Sequence, residues 1–208
     1  MQLTHLGHAC LLVETETARL LIDPGTMSDA GAVADVDAVL ITHQHPDHLD
    51  LGQLGQVLAV SPRAALVVDP DTAGAVVGLP PHTVAAVGER LRFGGTTVDV
   101  LGGRHAAVYG DVPGCTNSAY LIDDGALLHP GDSFHRPDRE VDVLAVPVDG
   151  PWLKLAEAVD YVRALSPRVA VQIHEGETTD PAKYAGLLDA LTGGRIVRAV
   201  SRGEPVTL

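Results

Sequence analysis

Six residues constrain this chain more than any others: His43-Gln44-His45-Pro46-Asp47-His48, which follow directly on the apolar run Asp37 to Thr42 (DAVLIT). A short continuous apolar run of that kind reads as a strand covered on both faces. A fold that buries it places three histidines and a carboxylate where the chain leaves a sheet. Chance supplies an H-x-H-x-D-H run only about 0.002 times in a chain of this make-up, so composition does not account for it. In an extended chain residues two apart point the same way, so His43 and His45 can clasp one ion. Pro46 keeps His45 extended. The chain then turns, and Asp47 and His48 aim differently, which suits a second ion alongside. Imidazole with carboxylate favours zinc, iron or manganese over calcium or magnesium. Structural zinc sites are closed and usually rich in cysteine. This one is neither, which points to an open, catalytic centre.

The rest of the chain supplies strands to carry more ligands. Leu3 to Glu14 reads as extended and Arg19 to Asp23 as a second strand, with a hairpin link at Thr15-Glu16-Thr17. Leu51, Leu54 and Leu58 mark a helix that Gly52 and Gly55 weaken. Ala64 to Val68 is a buried strand, and a short helix follows over Asp71 to Val77. Further strands are expected at Leu91 to Phe93, Thr96 to Leu101, Ala119 to Ile122, Ala126 to His129, Val141 to Val148, Val169 to Ile173, Ile196 to Val200 and Val206 to Leu208. Helices are expected over Trp152 to Leu165, where Pro151 stands at the start, and over Pro181 to Leu191. The 208 residues suit one domain of two pseudo-equivalent halves, about 1–90 and 91–208. Each half runs through strands first and then alternates strand with helix. Two sheets face to face, with helices outside both, satisfy that order. Aromatics are only 3%, so Val, Leu, Ile and Ala must build the core.

Charge and composition exclude several roles. The net charge of −13 disfavours nucleic acid and polyanionic membrane surfaces as partners. No stretch approaches the roughly 20 apolar residues of a membrane span. The start carries no basic segment followed by an apolar run and cleavage site, so no signal peptide is expected. Two cysteines, Cys10 and Cys115, make no framework of staples and read as buried thiols in a reducing cytoplasm. A small-molecule substrate is the expected partner, and the charge does not forbid a homo-oligomer.

Three more metal-type side chains end apolar strands: His105 after TTVDVLGGR, Asp132 after ALLHPG, and His174 after VAVQI. With THQHPDH, the motifs GGRH, HPGDS and QIHEG resemble the metallo-β-lactamase superfamily, in that family's order. The opening LTHLGHACLLVE and the early LIDPG resemble the branch related to L-ascorbate-6-phosphate lactonase and N-acyl-phosphatidylethanolamine phospholipase D. The resemblance spans nearly the whole chain. It implies an α+β fold, the four-layer αββα sandwich. It implies that His43, His45 and His105 hold a first metal, that Asp47, His48 and His174 hold a second, and that Asp132 bridges. Two divalent ions are implied, zinc first, with manganese and iron as the other candidates. Such ions share a hydroxide of lowered pKa and polarise the bond it attacks, and Asp47 could orient that hydroxide and take its proton.

Other residues carry weaker signals. His8 in LGHAC lies near the pocket in the resembling branch, but a structural histidine is an equal reading. Asp23 could support a ligand histidine or merely shape its turn with Pro24 and Gly25. His135, three residues past Asp132, could reach substrate, though a surface position explains it as well; Trp152 and Lys154, which open a helix, could line the pocket mouth, though packing and solvation explain them too. His5, His82 and His129 read as structural, and Cys115 and Asn117 carry no motif. The leading function is a metal-dependent hydrolase of a small ester, lactone or phosphodiester. The alternatives are an iron-dependent redox enzyme on the same scaffold and a non-catalytic module that binds metal or ligand.

Overall fold

The computed structural model describes residues 1–194 and 200–208. Among the described residues, thirteen strands and three α-helices follow in the order β1 (Gln2–Gly7), β2 (Cys10–Glu14), β3 (Arg19–Ile22), β4 (Ala38–Leu40), α1 (Leu51–Val60), β5 (Ala65–Val68), β6 (His82–Val84), β7 (Arg90–Phe93), β8 (Thr96–Gly102), β9 (Ser118–Ile122), β10 (Leu127–His129), β11 (Val143–Pro147), α2 (Leu155–Leu165), β12 (Val169–Ile173), α3 (Pro181–Leu191) and β13 (Pro205–Thr207). One sheet has the order β13-β1-β2-β3-β4-β5-β6, the other β12-β11-β10-β9-β8-β7. In each sheet the strands earlier in the chain pair antiparallel with their neighbours and the later ones parallel, over β3 to β6 in the first and β10 to β12 in the second.

Strand alternation builds the layers. Leu20 and Ile22 point between the sheets while Leu21 points out, and Val143 and Ala145 point in while Leu144 and Val146 point out. The inward set, with Leu11, Leu40, Val98, Tyr120 and Val171, forms the central core. Outside the first sheet, Leu21, Val39, Ile41 and Leu66 pack on Leu54, Val57 and Leu58 of α1. Outside the second, Leu121, Leu128, Leu144 and Val146 pack on Ala158, Tyr161 and Val162 of α2 and on Leu188 of α3. The order of layers is therefore helix, sheet, sheet, helix, as the αββα expectation required.

Several boundaries differ from the sequence reading. The run Leu3 to Glu14 divides into β1 and β2, because His8 takes a left-handed backbone (φ 55°) that turns the chain. The helix expected from Trp152 begins at Leu155, since Leu153 N–H closes a turn onto Gly150 O and the Glu157 side chain caps Lys154 N–H. The helix expected over Asp71 to Val77 is a single 3-10 turn, Thr72–Gly74, where the Asp69 carboxylate draws in the Thr72 hydroxyl and Asp71 N–H. The strand expected over Val141 to Val148 runs only Val143–Pro147. β6 carries no apolar pattern and was not expected. The strand expected over Ile196 to Val200 lies, but for Val200, outside the described residues. The last strand, β13, returns to β1 and closes the first sheet's edge.

Candidate metal centre

The site lies on one rim, where loops leave both sheets. His43 to His48 follow β4, His105 follows β8, Asp132 follows β10 and His174 follows β12. Backbone bonds tie these loops together: Ser118 N–H to Thr42 O, Ala106 N–H to Asp132 O and His174 N–H to His8 O. Gly25 is needed where the chain after β3 crosses beneath the histidine run, because a Cβ there would overlap the Asp47 carbonyl. His8, Asp23 and His174 all hold positive φ (55°, 49° and 68°). Non-glycine residues pay for that conformation, and it persists where the surroundings over-determine it.

Two groups of four result. His43, His45, His105 and Asp132 bring ligand atoms within 4.8 Å of one another, and so do His8, Asp47, His48 and His174. Asp132 reaches both. Its Oδ2 lies 3.0 Å from His105 Nε2 and 3.9 Å from His43 Nε2; its Oδ1 lies 3.0 Å from His48 Nε2 and 2.8 Å from His174 Nε2. The seven residues expected as ligands are thus brought together, with His8 as an eighth.

Bonds behind the rings set which nitrogens face inward. His105 Nδ1 meets Ala106 O at 2.6 Å, and a carbonyl only accepts, so Nδ1 carries the proton and Nε2 is free. His48 Nδ1 lies 2.7 Å from Asp23 Oδ2, which orients the ring in the same sense. Asp23 is fully buried and also accepts Thr42 N–H and the Thr42 hydroxyl, each at 2.7 Å. The Thr42 hydroxyl in turn stands 3.1 Å from His43 Nδ1. A carboxylate behind a ligand histidine is the usual support of a metal site. His8 Nε2 donates to Asp47 Oδ2 at 3.0 Å, and Glu175 accepts His8 N–H at 2.8 Å.

The donor set fits divalent cations. His48 Nε2 faces His174 Nε2 at 3.1 Å, and His43 Nε2 faces His45 Nδ1 at 3.0 Å. Lone-pair nitrogens and carboxylate oxygens converge in a buried space, and His105 Nε2 and Asp132 Oδ1, though close to carboxylate and ring neighbours, make no well-aligned hydrogen bond among the described residues. An ion is what such atoms lack. The carboxylates and imidazoles of the centre shift one another's ionisation. Burial alone would raise the Asp132 carboxyl, but His48, His174 and His105 hold it well below the carboxylate range. Burial opposes ionisation of Asp47 too, yet the hydrogen bond from His8 and the charge of His48 keep its carboxyl low. Burial, with His48 next to it, pushes His43 well down. His48 rises despite burial, because Asp132 and Asp23 flank it.

A small chamber of about 110 Å³ opens over both groups, walled by His45, Asp47, Asp132, His174 and Trp152 among others. A larger cavity of about 270 Å³ lies beside it, against His45, His105 and Cys115. His135 and Lys154 line neither space and belong to neither group. The His135 backbone is drawn toward α2 by the Tyr161 hydroxyl, and Lys154 stands exposed at the α2 cap. His129 donates or accepts only within the fold, against Ala9 O and Gly131 N–H. Sequence reasoning missed Asn117, whose Oδ1 accepts Asp132 N–H and whose amide donates to Pro130 O, pinning the turn that carries the carboxylate. It also missed Glu175 and the wall made by Cys115. Glu175 follows His174 directly in QIHEG, which is the available signal; Asn117 and Cys115 have none, and only the packing of distant loops brings them here.

Comparison with known proteins bears on the family and the fold. Residues 2–174 match the family model described as the β-lactamase superfamily domain. The Mycobacterium tuberculosis protein Rv0786c is 45% identical, covering 92% of this chain and 93% of its own length. The UPF0173 protein PF0020 of Pyrococcus furiosus is 31% identical, covering 88% of this chain and 89% of its own. Among solved structures, the metallo hydrolase Igni18 of Ignicoccus hospitalis superposes with a TM-score of 0.76 at 19% identity, over 99% of this chain and 97% of that one. The diiron β-hydroxylase CmlA of Streptomyces venezuelae also reaches 0.76, at 20% identity, over 100% of this chain and 54% of its own. At such identities the likeness is one of fold.

Proposed function

This chain belongs to the UPF0173 family of the metallo-β-lactamase superfamily, and from that premise we propose that it is a dinuclear metal-dependent hydrolase of a small ester, lactone or phosphodiester. The observation that carries the reading is Asp132, one carboxylate whose two oxygens face the two separate ligand groups. His43, His45 and His105 would hold one ion, and Asp47, His48 and His174 the other, with Asp132 between them. When bound, two such ions supply Lewis acidity and a water that is nucleophilic near neutral pH. Zinc suits the donors best, and manganese and iron share them.

The chain's own residues do the rest. Asp47 lines the chamber, where its carboxylate can orient the attacking water and accept its proton. His8 fixes the Asp47 carboxylate from behind, and Glu175 fixes His8 by its backbone. Asp23 and Thr42 hold the His48 and His43 rings so that their Nε2 atoms stay on the centre. Trp152 covers the chamber edge-on to His105 and His174 and restricts water there. The test is turnover of a panel of esters, lactones and phosphodiesters by protein loaded with zinc, stripped with chelator and reloaded. Activity should vanish on stripping and return on reloading. Turnover that survives complete removal of metal would overturn the reading.

A further inference from the structure

The three rings of the first ligand group are not held alike. Behind His105 stands the Ala106 carbonyl at 2.6 Å, and behind His43 the Thr42 hydroxyl at 3.1 Å. The outer nitrogen of His45 has no such oxygen among the described residues. Its Nδ1 lies 3.0 Å from His43 Nε2 and so faces the centre, which turns Nε2 outward. What Nε2 meets there is the sulfur of Cys115, at 3.9 Å. A thiol sulfur accepts a hydrogen bond, though weakly. His45 is also the least enclosed of the three: it is half-buried on the wall of the side cavity, whereas His43 and His105 are buried. A ligand ring keeps its tautomer and its tilt through whatever its outer nitrogen meets.

Cys115 is placed by groups that the metal centre does not otherwise use. Asp69, directly after β5, is fully buried, belongs to neither ligand group and lines neither cavity. A carboxylate out of water is costly unless donors surround it. Asp69 accepts the hydroxyls of Thr72 and Thr116 and, at 3.1 Å, Asp71 N–H. The Asp71 carboxylate accepts Thr116 N–H at 2.7 Å in return. Thr116 is thereby clasped at both its hydroxyl and its amide, 47 residues along the chain from Asp69. Cys115 itself is fixed through its carbonyl, which accepts His105 N–H at 3.1 Å. The clasp ties the end of β5 in the first sheet to the approach to β9 in the second, and the sulfur held between these anchors stands behind His45.

We propose that Cys115 is a positioning residue of the metal centre: its sulfur accepts the Nε2–H of His45 and keeps Nδ1 on the first ion, and the Asp69–Thr116 clasp sets where that sulfur stands. The inference rests on the dinuclear hydrolase reading and deepens it. It gives a buried carboxylate and a thiol outside both ligand groups one shared task, the aim of the least enclosed ring on the first ion.

Cys115 stands on a cavity wall and outside the apolar core, so Cys115→Ala leaves that core intact. Zinc affinity is measured by competition with a chromophoric chelator, apart from any turnover. Cys115→Ala should weaken one of the two zinc ions about tenfold and leave the other within about twofold. That is the low end of the roughly 10–100-fold loss for a missing outer partner, since sulfur at 3.9 Å accepts weakly. Thr116→Val keeps the side chain's shape without its hydroxyl and should weaken the same ion; Asp69→Asn should do likewise. The double variant Cys115→Ala with Thr116→Val should bind no more weakly than Cys115→Ala alone, because both changes act through one contact. Proton–nitrogen correlation spectra of the histidine rings should place the His45 proton on Nε2 in the zinc-loaded chain. In Cys115→Ala that nitrogen should shift while those of His43 and His105 stay. Two zinc ions with this pattern but no turnover of any ester, lactone or phosphodiester would uphold this inference and sink the hydrolase reading. Zinc affinities unchanged in Cys115→Ala, a His45 ring protonated at Nδ1, or fully additive losses in the double variant would overturn the inference and leave that reading standing.

Discussion

Replacing Asp23 by Asn tests whether the centre depends on a residue that never reaches it. The Asp23 carboxylate is fully buried and holds three partners at 2.7 Å: Thr42 N–H, the Thr42 hydroxyl and His48 Nδ1. An amide keeps one oxygen. Its NH₂ must then face a partner that now donates, and the His48 ring loses its anion. Loss of a charge-assisted hydrogen bond costs about 1.5–3 kcal/mol, and loss of a carboxylate behind a ligand histidine weakens metal binding roughly 10–100-fold. Asp23→Asn should therefore lower the unfolding free energy of metal-free protein by about 2 kcal/mol. In competition with a chelator, one ion should bind about 10–100-fold more weakly and the other should change little. The pH dependence has a definite sign. His48 is raised by Asp132 and Asp23 against its burial, so the stabilisation it brings is full below its ordinary value near 6.5 and is lost as pH rises through the elevated one. The deficit of the variant should accordingly be larger at pH 6 than at pH 9. Equal metal affinity for both ions, together with an unchanged denaturation midpoint, would refute the reasoning.

Other consequences follow from the same geometry. Gly25→Ala should destabilise the fold and reduce metal loading together, because its Cβ would overlap the backbone of Asp47 and His48; denaturation and elemental analysis check both, and a cost below about 1 kcal/mol would contradict the close approach. Asp99 lies between Arg90 and Arg139, at 2.5 Å and 2.7 Å, and the Arg90 hydrogen bonds hold its carboxyl below the ordinary value. Its stabilisation is present above the unfolded value near 3.9 and lost as pH falls through the depressed one, so the midpoint gap between wild type and Asp99→Asn should close on acidification and narrow with added salt. Asn117→Ala should lower activity through the misplaced Asp132 turn while retaining the ions on His43, His45 and His48; a variant that loses all metal would show that Asn117 supports more than that turn.

The parts of the site that were legible in the sequence share one property: each sits directly after an apolar strand. His43 to His48 follow β4, and His105, Asp132 and His174 close β8, β10 and β12 within a few residues. A strand's end is a local signal, and a shared rim follows once parallel neighbours are assumed. His8 was harder to place, because apolar residues continue through Leu6, Ala9 and Leu11 while the turn is made by a positive φ that no residue type announces. Glu175 directly follows His174 in QIHEG, and Trp152, at a helix start, carries a pocket-mouth signal that its place on the chamber wall matches. Asn117 owes its position to contacts between loops far apart in the chain, and nothing near it in sequence carries that information. The same holds for β13, whose partner β1 lies at the other end of the chain. Lys154 shows the reverse error: a lysine beside a tryptophan at a helix start suggests a pocket mouth, but the helix begins later and the side chain stays in solvent.

The most direct test is the number of metal ions per chain, by elemental analysis, in protein purified without added metal and in its Asp132→Ala variant. The account predicts close to two ions, zinc or manganese, in the natural chain and fewer than two in the variant. Iron at the same stoichiometry, with no hydrolysis, would transfer the centre to redox chemistry. A natural chain without metal, or a variant that keeps both ions and full activity, would contradict the claim that Asp132 joins two metal sites.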